Sequence, residues 1–178
     1  KLTTVNIIDG GESNTNVQGA EVSGDTVDYS SNGATKIVVD LSATVANFST
    51  VTVSGTSAAN DKLKDIENIT GTAGNDTITG DDNKNTLFGM AGNDSLDGKG
   101  GDDYIDGGAG NDTIEGGLGE DILKGGAGND TLSYINAINT VDNKGVLVKL
   151  SSDSDDANKG MASGIDGNDE LWDFENVI

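Results

Sequence analysis

The sequence predicts an all-β fold, a right-handed parallel β-roll with irregular β-coil flanks, and two observations predict it. Seven glycine-led nonapeptides follow one another without an insertion from Gly71 to Ser133. The chain also has a formal net charge of −21, with 31 acidic and 10 basic residues, and only 33% of its residues are hydrophobic. The repeat indicates a periodic backbone. The charge leaves two interpretations, a disordered acidic chain or a fold completed by cations.

Each nonapeptide has four fixed positions. Position one is always Gly, position four is Gly except at Asn83, and position six is Asp except at Asn85. Position eight is aliphatic in every unit: Ile78, Leu87, Leu96, Ile105, Ile114, Leu123 and Leu132. Glycine permits positive φ and close backbone approach, so the first half of each unit predicts a tight turn. The single aliphatic residue predicts a three-residue strand that turns one side chain inward.

Two units form one coil of a flattened solenoid in this interpretation. Turn, strand, turn and strand together take 18 residues. Successive coils then stack at the ~4.8 Å spacing of neighbouring strands. The inward aliphatic side chains form a thin core that no single repeat could bury alone.

The flanks resemble two copies of one longer pattern. Residues 25–29 match residues 130–134, and residues 61–69 match residues 169–177. We therefore predict three parts: an irregular N-terminal β flank over 1–70, the β-roll over 71–133, and a C-terminal flank over 134–178 that copies the first.

Two further expectations concern the flanks and the ends of the chain. Segments 10–24 and 151–163 are rich in Gly, Ser, Asn and Asp, which predicts exposed loops. Because the chain starts at Lys1 rather than Met, we expect it to be a fragment of a larger protein.

Absent residue types narrow the chemistry. The chain has no Cys, Pro or His, which excludes disulfides, thiolate metal sites and the usual zinc ligand and general base. Carboxylate and carbonyl oxygens remain, and these suit hard cations. The acidic balance argues against a nucleic-acid partner, because phosphate binding needs basic patches. No apolar run approaches the ~18 residues of a membrane span.

The recurring aspartates predict a ladder of cation sites. Units i and i+2 lie on the same edge of the roll, so their carboxylates approach across one coil spacing of ~4.8 Å. Unpaired carboxylates at that distance repel each other. Calcium, which takes six to eight oxygen ligands at about 2.3–2.6 Å, reverses the sign of the interaction.

These units resemble the RTX (repeats-in-toxin) nonapeptide GGxGxDxUx, a calcium-binding repeat of the parallel β-helix class. The resemblance is strong over residues 71–133 and looser in the flanks. It implies that each ion takes carbonyls from positions two and four of one turn, carbonyls from positions one and three of the next turn on that edge, and both position-six carboxylates.

Carried onto this sequence, the resemblance implies five sites. Three lie on one edge: Thr72, Gly74, Asp76, Gly89, Ala91 and Asp94; then Met90, Gly92, Asp94, Gly107, Ala109 and Asp112; then Gly108, Gly110, Asp112, Gly125, Ala127 and Asp130. Two lie on the opposite edge: Lys99, Gly101, Asp103, Gly116, Leu118 and Asp121; and Asp81, Asn83, Asn85, Gly98, Gly100 and Asp103.

The site that contains Asn85 departs from the repeat, so we expect it to be the weakest, or to use Asp81 or Asp82 instead. Asp61 and Asp169 fall at position six of degenerate units, so partial end sites are expected there. The count of about five calcium ions therefore has a range of four to eight.

The resemblance implies a non-enzymatic module that folds on extracellular calcium and serves type I secretion and the structural stabilisation of a larger secreted or cell-surface protein of a Gram-negative bacterium, such as an adhesin, toxin, surface-layer protein or exoenzyme. We expect a monomer whose partners are calcium ions and other domains of the same chain. The alternative is a glycan- or cell-surface-binding module carried by the flanks. An enzyme is disfavoured because no nucleophile–base pair can be named.

Overall fold

The structure is a computed structural model. It describes residues 7–9, 25–30, 35–45, 48–54, 61–134, 147–149, 159–164 and 167–178. All regular elements in these ranges are strands, which confirms the all-β prediction. Within the same ranges there is no helix long and apolar enough to cross a membrane.

Seventeen strands are present in the described ranges. Six precede the repeats: β1 (Ile7–Asp9), β2 (Thr26–Asp28), β3 (Lys36–Val45), β4 (Phe48–Ser54), β5 (Asp61–Lys64) and β6 (Asn68–Thr70). Seven belong to the repeats: β7 (Thr77–Thr79), β8 (Thr86–Ala91), β9 (Ser95–Asp97), β10 (Tyr104–Ala109), β11 (Thr113–Glu115), β12 (Ile122–Ala127) and β13 (Thr131–Leu132). Four follow: β14 (Leu147–Lys149), β15 (Lys159–Gly164), β16 (Gly167–Trp172) and β17 (Asn176–Val177).

Strands of alternate nonapeptides stack in parallel, as the 18-residue coil predicts. Strands β7, β9, β11 and β13 are neighbours in one sheet, and β8, β10 and β12 are neighbours in the other. The register advances by one coil each time, for example Ile78 opposite Leu96 and Ile105 opposite Leu123. The prediction of a parallel β-roll is confirmed. The strands β8, β10 and β12 have six residues rather than three, because pairing continues from the strand into the turn.

The core is a cluster of aliphatic side chains between the two sheets, to which each sheet contributes one row. All seven position-eight residues are at most 1% exposed, and the cluster extends into the flanks through Ile69 and Leu171. Neighbours of each aliphatic residue in the strand point outward, as in β11, where Thr113 is exposed and Glu115 is half-buried. One inward side chain per strand is the arrangement that the repeat predicts.

The flanks differ from the repeats because they contain antiparallel pairs. Strands β3, β4 and β5 are antiparallel neighbours, and so are β14, β15 and β16. The loop prediction for 151–163 is wrong at its end, since β15 begins at Lys159 and pairs with both β14 and β16. The strand β15 reads Lys-Gly-Met-Ala-Ser-Gly, and its single large apolar side chain, Met161, does not make a strand pattern. The predicted loop 10–24 lies outside the described residues.

The two flanks have one topology with the sheets exchanged. In the first, β2 and β6 belong to the eight-stranded sheet, and β3, β4 and β5 belong to the nine-stranded sheet. In the second, β13 and β17 belong to the nine-stranded sheet, and β14, β15 and β16 belong to the other. The hairpin registers agree, with Val51 opposite Asp61 in the first copy and Ala162 opposite Asp169 in the second. The sequence match between the flanks therefore corresponds to a structural one.

Candidate metal centre

The position-six residues form two buried rows, one along each edge of the roll. Each backbone N–H donates to the side-chain Oδ1 of the residue 18 positions later. The N–O distances are 2.7 Å for Asp76–Asp94, 2.8 Å for Asp94–Asp112, 2.9 Å for Asp112–Asp130, 2.7 Å for Asn85–Asp103 and 2.9 Å for Asp103–Asp121. These side chains are at most 3% exposed. The ladder of stacked carboxylates that the spacing predicts is therefore present.

One oxygen of each of several carboxylates has no protein partner. The Oδ2 atoms of Asp94, Asp103, Asp112 and Asp130 are buried and receive no hydrogen bond. A buried anionic oxygen without a donor is costly unless a cation compensates it. Asp76 differs, because its Oδ2 accepts from the backbone N–H of Thr72 at 2.6 Å.

Burial disfavours the charged form of these aspartates. It raises the pKa of Asp94 to about 7, where a hydrogen bond from the backbone of Asp76 opposes the rise and the charge of Asp112 adds to it. It raises the pKa of Asp103 to about 8, with a further contribution from the charge of Asp121. Burial likewise raises the pKa values of Asp112 and Asp130. The row therefore needs either protons or cations near neutral pH.

Position-one glycines leave a space into which oxygens of two coils point. A Cβ on Gly107 would lie 2.5 Å from Oδ2 of Asp112 and 2.7 Å from the carbonyl oxygen of Gly125. A Cβ on Gly71 would lie 2.6 Å from Oδ2 of Asp76 and 2.7 Å from the carbonyl oxygen of Gly89. A carboxylate oxygen of one turn thus faces a carbonyl oxygen of the next. These are oxygens of the type that calcium takes.

Positive φ occurs at positions two and four of the turn, not at position one. Gly108 has φ of 102° and Gly110 has φ of 134°, and the following coil repeats this with Gly126 and Gly128. Met90 (82°) and Lys99 (77°) hold the same conformation with a side chain. Their backbones are strained, because a Cβ disfavours this region.

The turns bring the predicted ligand residues together in two rows. One edge carries the turns 71–76, 89–94, 107–112 and 125–130, and the other carries 80–85, 98–103 and 116–121. Several predicted carbonyl ligands already accept a backbone hydrogen bond from an adjacent coil: Thr72, Asp81, Lys99, Ala109 and Ala127. A carbonyl oxygen has two lone pairs, so such a bond does not prevent metal ligation.

Asn85 is satisfied by protein groups alone. Its Oδ1 accepts from the backbone N–H of Asp81 at 2.9 Å, and its Nδ2 donates to the carbonyl of Glu67 at 3.0 Å. Compared with Asp, an amide at this position six removes one negative charge and supplies a hydrogen-bond donor. The expectation of a weak site here therefore has a structural basis, although it stays a prediction. Asp82 is exposed at the outside of the turn.

Sequence reasoning missed a second ladder at position five. The backbone N–H groups of Asn93, Asn111 and Asn129 donate to Oδ1 of Asn75, Asn93 and Asn111 at 2.9, 2.9 and 3.0 Å. These bonds run to the preceding coil, whereas the position-six bonds run to the following coil. Each turn is therefore tied in both directions. The sequence does contain the pattern that predicts this second ladder, because Asn recurs every 18 residues on this edge.

The flanks extend both carboxylate rows. Oδ1 of Asp169 accepts from the backbone N–H of Asp121 at 3.2 Å, and its Oδ2 accepts from the Tyr134 hydroxyl at 2.7 Å. Oε2 of Glu175 accepts from the backbone N–H of Asp130 at 2.7 Å. Asp169 was a predicted end residue, but Glu175 was not. The side chain of Asp61 lies outside the described residues.

The donor set fits calcium. Nowhere in the described part of the chain do three or more acidic side chains converge as a metal-binding group. Each candidate site instead offers backbone carbonyls and two position-six side chains from successive coils, which are both carboxylates except at the site of Asn85 and Asp103. An all-oxygen set with a few charges is the chemistry of a calcium site rather than of a zinc site.

A comparison with protein-family models identifies the repeat. The model of the RTX calcium-binding nonapeptide repeat, which spans four copies, matches residues 65–96 and again residues 97–132. Residues 65–132 are RTX calcium-binding repeats. The RTX match begins six residues before Gly71 and so includes β6 of the first flank. A comparison with curated proteins finds no match to the chain.

Proposed function

We propose that the chain is a calcium-dependent folding module of a larger secreted or cell-surface protein. Calcium is the partner that its RTX repeats bind. The observation that carries the proposal is the row of buried carboxylate oxygens, on Asp94, Asp103, Asp112 and Asp130, that no protein donor satisfies. Without cations the roll would have to bury like charges one coil apart.

About five ions occupy the turns in this proposal, each between two turns of one edge. Both position-six side chains of a site contribute, as with Asp94 and Asp112. The position-one carbonyl of the second turn also contributes, because it faces the carboxylate of the first, as Gly125 faces Asp112. The Asp76 site and the Asn85 site are the weaker ones, because protein donors already satisfy those side chains.

The energy scale makes calcium decisive for folding. A site with Kd of ~0.1 mM contributes about 1.4 kcal/mol in ~1 mM calcium. About five independent sites would contribute roughly 7 kcal/mol, which is comparable to the whole stability of a domain. At ~0.1 µM calcium the same sites would contribute almost nothing. The chain is therefore unfolded at intracellular calcium levels and folded outside the cell.

This switch suits export. An unfolded chain can pass through a type I secretion channel, and folding on extracellular calcium prevents its return. The module is non-enzymatic and monomeric in this proposal, and the two flanks close the ends of the roll over 1–70 and 134–178. It stabilises the other domains of the same secreted chain.

A calcium titration followed by far-ultraviolet circular dichroism tests the proposal. We expect little strand signal in EGTA, a cooperative gain between micromolar and millimolar calcium, and full reversal by chelator. Magnesium at equal concentration serves as the control and should not substitute, because it needs a smaller octahedral cage. A full strand signal that persists after exhaustive chelation would contradict the proposal.

A further inference from the structure

In the C-terminal flank, two residues outside any nonapeptide take the places of two residues of a repeat turn. In the roll, the space beside Gly107 lies between Oδ2 of Asp112 and the carbonyl oxygen of Gly125. Beside Gly125, the facing carbonyl belongs to Asp173, and Oδ2 of Asp130 lies 2.8 Å from the position that a Cβ would occupy. Asp173 therefore takes the place of a position-one glycine of the next coil.

Glu175 takes the place of the position-six aspartate. Its Oε2 accepts from the backbone N–H of Asp130 at 2.7 Å, as Oδ1 of Asp130 accepts from the N–H of Asp112 at 2.9 Å. The strand that follows agrees, because Asn176 N–H donates to the Asp130 carbonyl as Thr131 N–H donates to that of Asp112. Only one residue separates Asp173 from Glu175, whereas four separate positions one and six. The longer glutamate side chain compensates for the shorter turn.

The same device occurs at the other end of the repeats. Oε2 of Glu67 accepts from the backbone N–H of Asp25 at 2.7 Å. The N–H groups of Glu67 and Asn68 donate to the Asp25 carbonyl, as those of Glu175 and Asn176 donate to the Asp130 carbonyl. Asp65 and Asp173 both have positive φ, 52° and 57°. Two independent copies of the segment thus hold the glutamate in one position.

An unpartnered oxygen points into this end position. Asp130 is fully buried, its Oδ1 is used by Asp112, and its Oδ2 receives no hydrogen bond. Glu175 uses Oε2 for the Asp130 N–H and brings a second negative charge to the site. Two carboxylates and a facing carbonyl are the same donors that each coil offers. A hydrogen-bonded cap alone would satisfy the N–H but would leave the Asp130 oxygen uncompensated.

We infer that Asp130, Glu175 and the Asp173 carbonyl hold a further divalent cation, calcium, which closes the roll at the point where the repeats end. The site rests on the proposed calcium-dependent folding of the repeats but lies outside the glycine-led units. Gly126 and Gly128 supply the turn of the first coil, in the same positive-φ conformation as Gly108 and Gly110. The glutamate therefore marks a metal ligand rather than only the end of a strand.

Terbium luminescence and a calcium count on the whole chain test this site. Trp172 is the single Trp of the chain and precedes Asp173, so Tb³⁺ bound there should emit strongly when only Trp is excited. Glu175→Gln keeps an oxygen for the Asp130 N–H but removes the charge. We expect it to lose one calcium per chain at saturation, and to weaken the Trp-sensitised Tb³⁺ site about tenfold or more.

Glu120→Gln is the matched control, because it makes the same substitution at an exposed position-five side chain that is not a proposed ligand. It should leave the count and the emission unchanged. If wild-type chain and E175Q bind the same number of ions with equal Trp-sensitised emission, the inference is wrong while the proposed function stands. If the wild-type chain binds no calcium, the proposed function fails first. If E175Q does not fold in calcium, the wild-type chain decides the question. Absence of Trp-sensitised Tb³⁺ emission from it would then show that the inference is wrong.

Discussion

The backbone N–H of Asp94 donates to Oδ1 of Asp112, 2.8 Å away and one coil farther along the roll. The other oxygen of Asp112 is buried without a donor. One carboxylate thus joins two coils directly through a hydrogen bond and is left with an oxygen for a cation. The oxygen that accepts the hydrogen bond sets the spacing of the position-six row. The oxygen without a donor gives that row its need for calcium.

Replacement of the central carboxylate should remove two ion sites at once. Asp112 belongs to the proposed site with Asp94 and to that with Asp130. In Asp112→Asn the amide oxygen can still accept the Asp94 N–H, so the hydrogen bond survives and the charge is lost. We expect the calcium midpoint of folding to rise and about 3 kcal/mol of stability to be lost in ~1 mM calcium.

Asp28→Asn removes the same charge from an exposed position outside the repeats and controls for net charge. Both variants are compared by calcium titration with circular dichroism and by the number of ions bound. An equal shift of the midpoint in both variants would mean that bulk charge, not site geometry, governs folding.

Asn85→Asp should raise the stability of the fold in calcium and lower it in chelator. In calcium the new carboxylate completes a two-carboxylate site with Asp103 and raises stability. In chelator it loses the hydrogen bond from Nδ2 to the Glu67 carbonyl and adds a buried charge, so stability falls. Thermal unfolding with and without calcium measures both effects. A variant that is less stable in both conditions would show that the site binds no ion.

Position-one glycines should not tolerate even a methyl group. A Cβ on Gly107 would lie 2.5 Å from Oδ2 of Asp112 and 2.7 Å from the carbonyl oxygen of Gly125. Gly107→Ala must therefore displace an oxygen from the proposed site, and we expect weaker calcium binding and a lower melting temperature. At Gly100 the nearest atoms to a Cβ are 3.6 Å away, and its φ is not positive. Gly100→Ala is thus the control that should fold normally.

Strain at position two offers a stabilising change. Met90 has φ of 82° where Gly108 and Gly126 occupy the equivalent positions, and its side chain is 45% exposed. Met90→Gly should raise stability by about 1 kcal/mol, because a Cβ in this region costs roughly 1–2 kcal/mol and little buried surface is lost. Chemical denaturation in saturating calcium measures the change. A destabilised variant would indicate that Met90 packs usefully on the surface of the turn.

Acid should partly replace calcium in folding. Burial raises the pKa of Asp94 to about 7 and that of Asp103 to about 8, above the ordinary value of 3.8. A folded-state pKa above the unfolded one gives stability that is complete below about pH 4 and is lost as pH rises through about 7 to 8. In EGTA we therefore expect strand content to increase as pH falls from about 8 to about 5.

The affinity for calcium should change in the opposite direction, since protons and calcium compete for the same oxygens. Isothermal titration at both ends of this pH range measures it. A strand content in EGTA that is independent of pH would mean that these carboxylates are not buried in the metal-free chain.

The repeats were predictable from sequence because each fixed position has one physical cause. An aliphatic residue every nine residues sets the inward face, and the 18-residue register of Ile78 and Leu96 follows from it. The flanks were less predictable. The alternation of apolar and polar residues in β3 shows a strand but does not reveal that its neighbour β4 is antiparallel. Glu175 lies in no glycine-led unit, so only its backbone contact with Asp130 reveals its position.

The odd number of nonapeptides has a consequence for the direction in which the flanks point. Seven units of half a coil each complete three and a half windings, so the three-stranded insertion of the first flank continues one sheet and that of the second continues the other. Deletion or addition of a single nonapeptide would bring both insertions to the same side. Whether the number of nonapeptides is odd or even therefore sets the direction, around the axis of the roll, of the segment that follows it. The length of the roll sets only the distance to that segment.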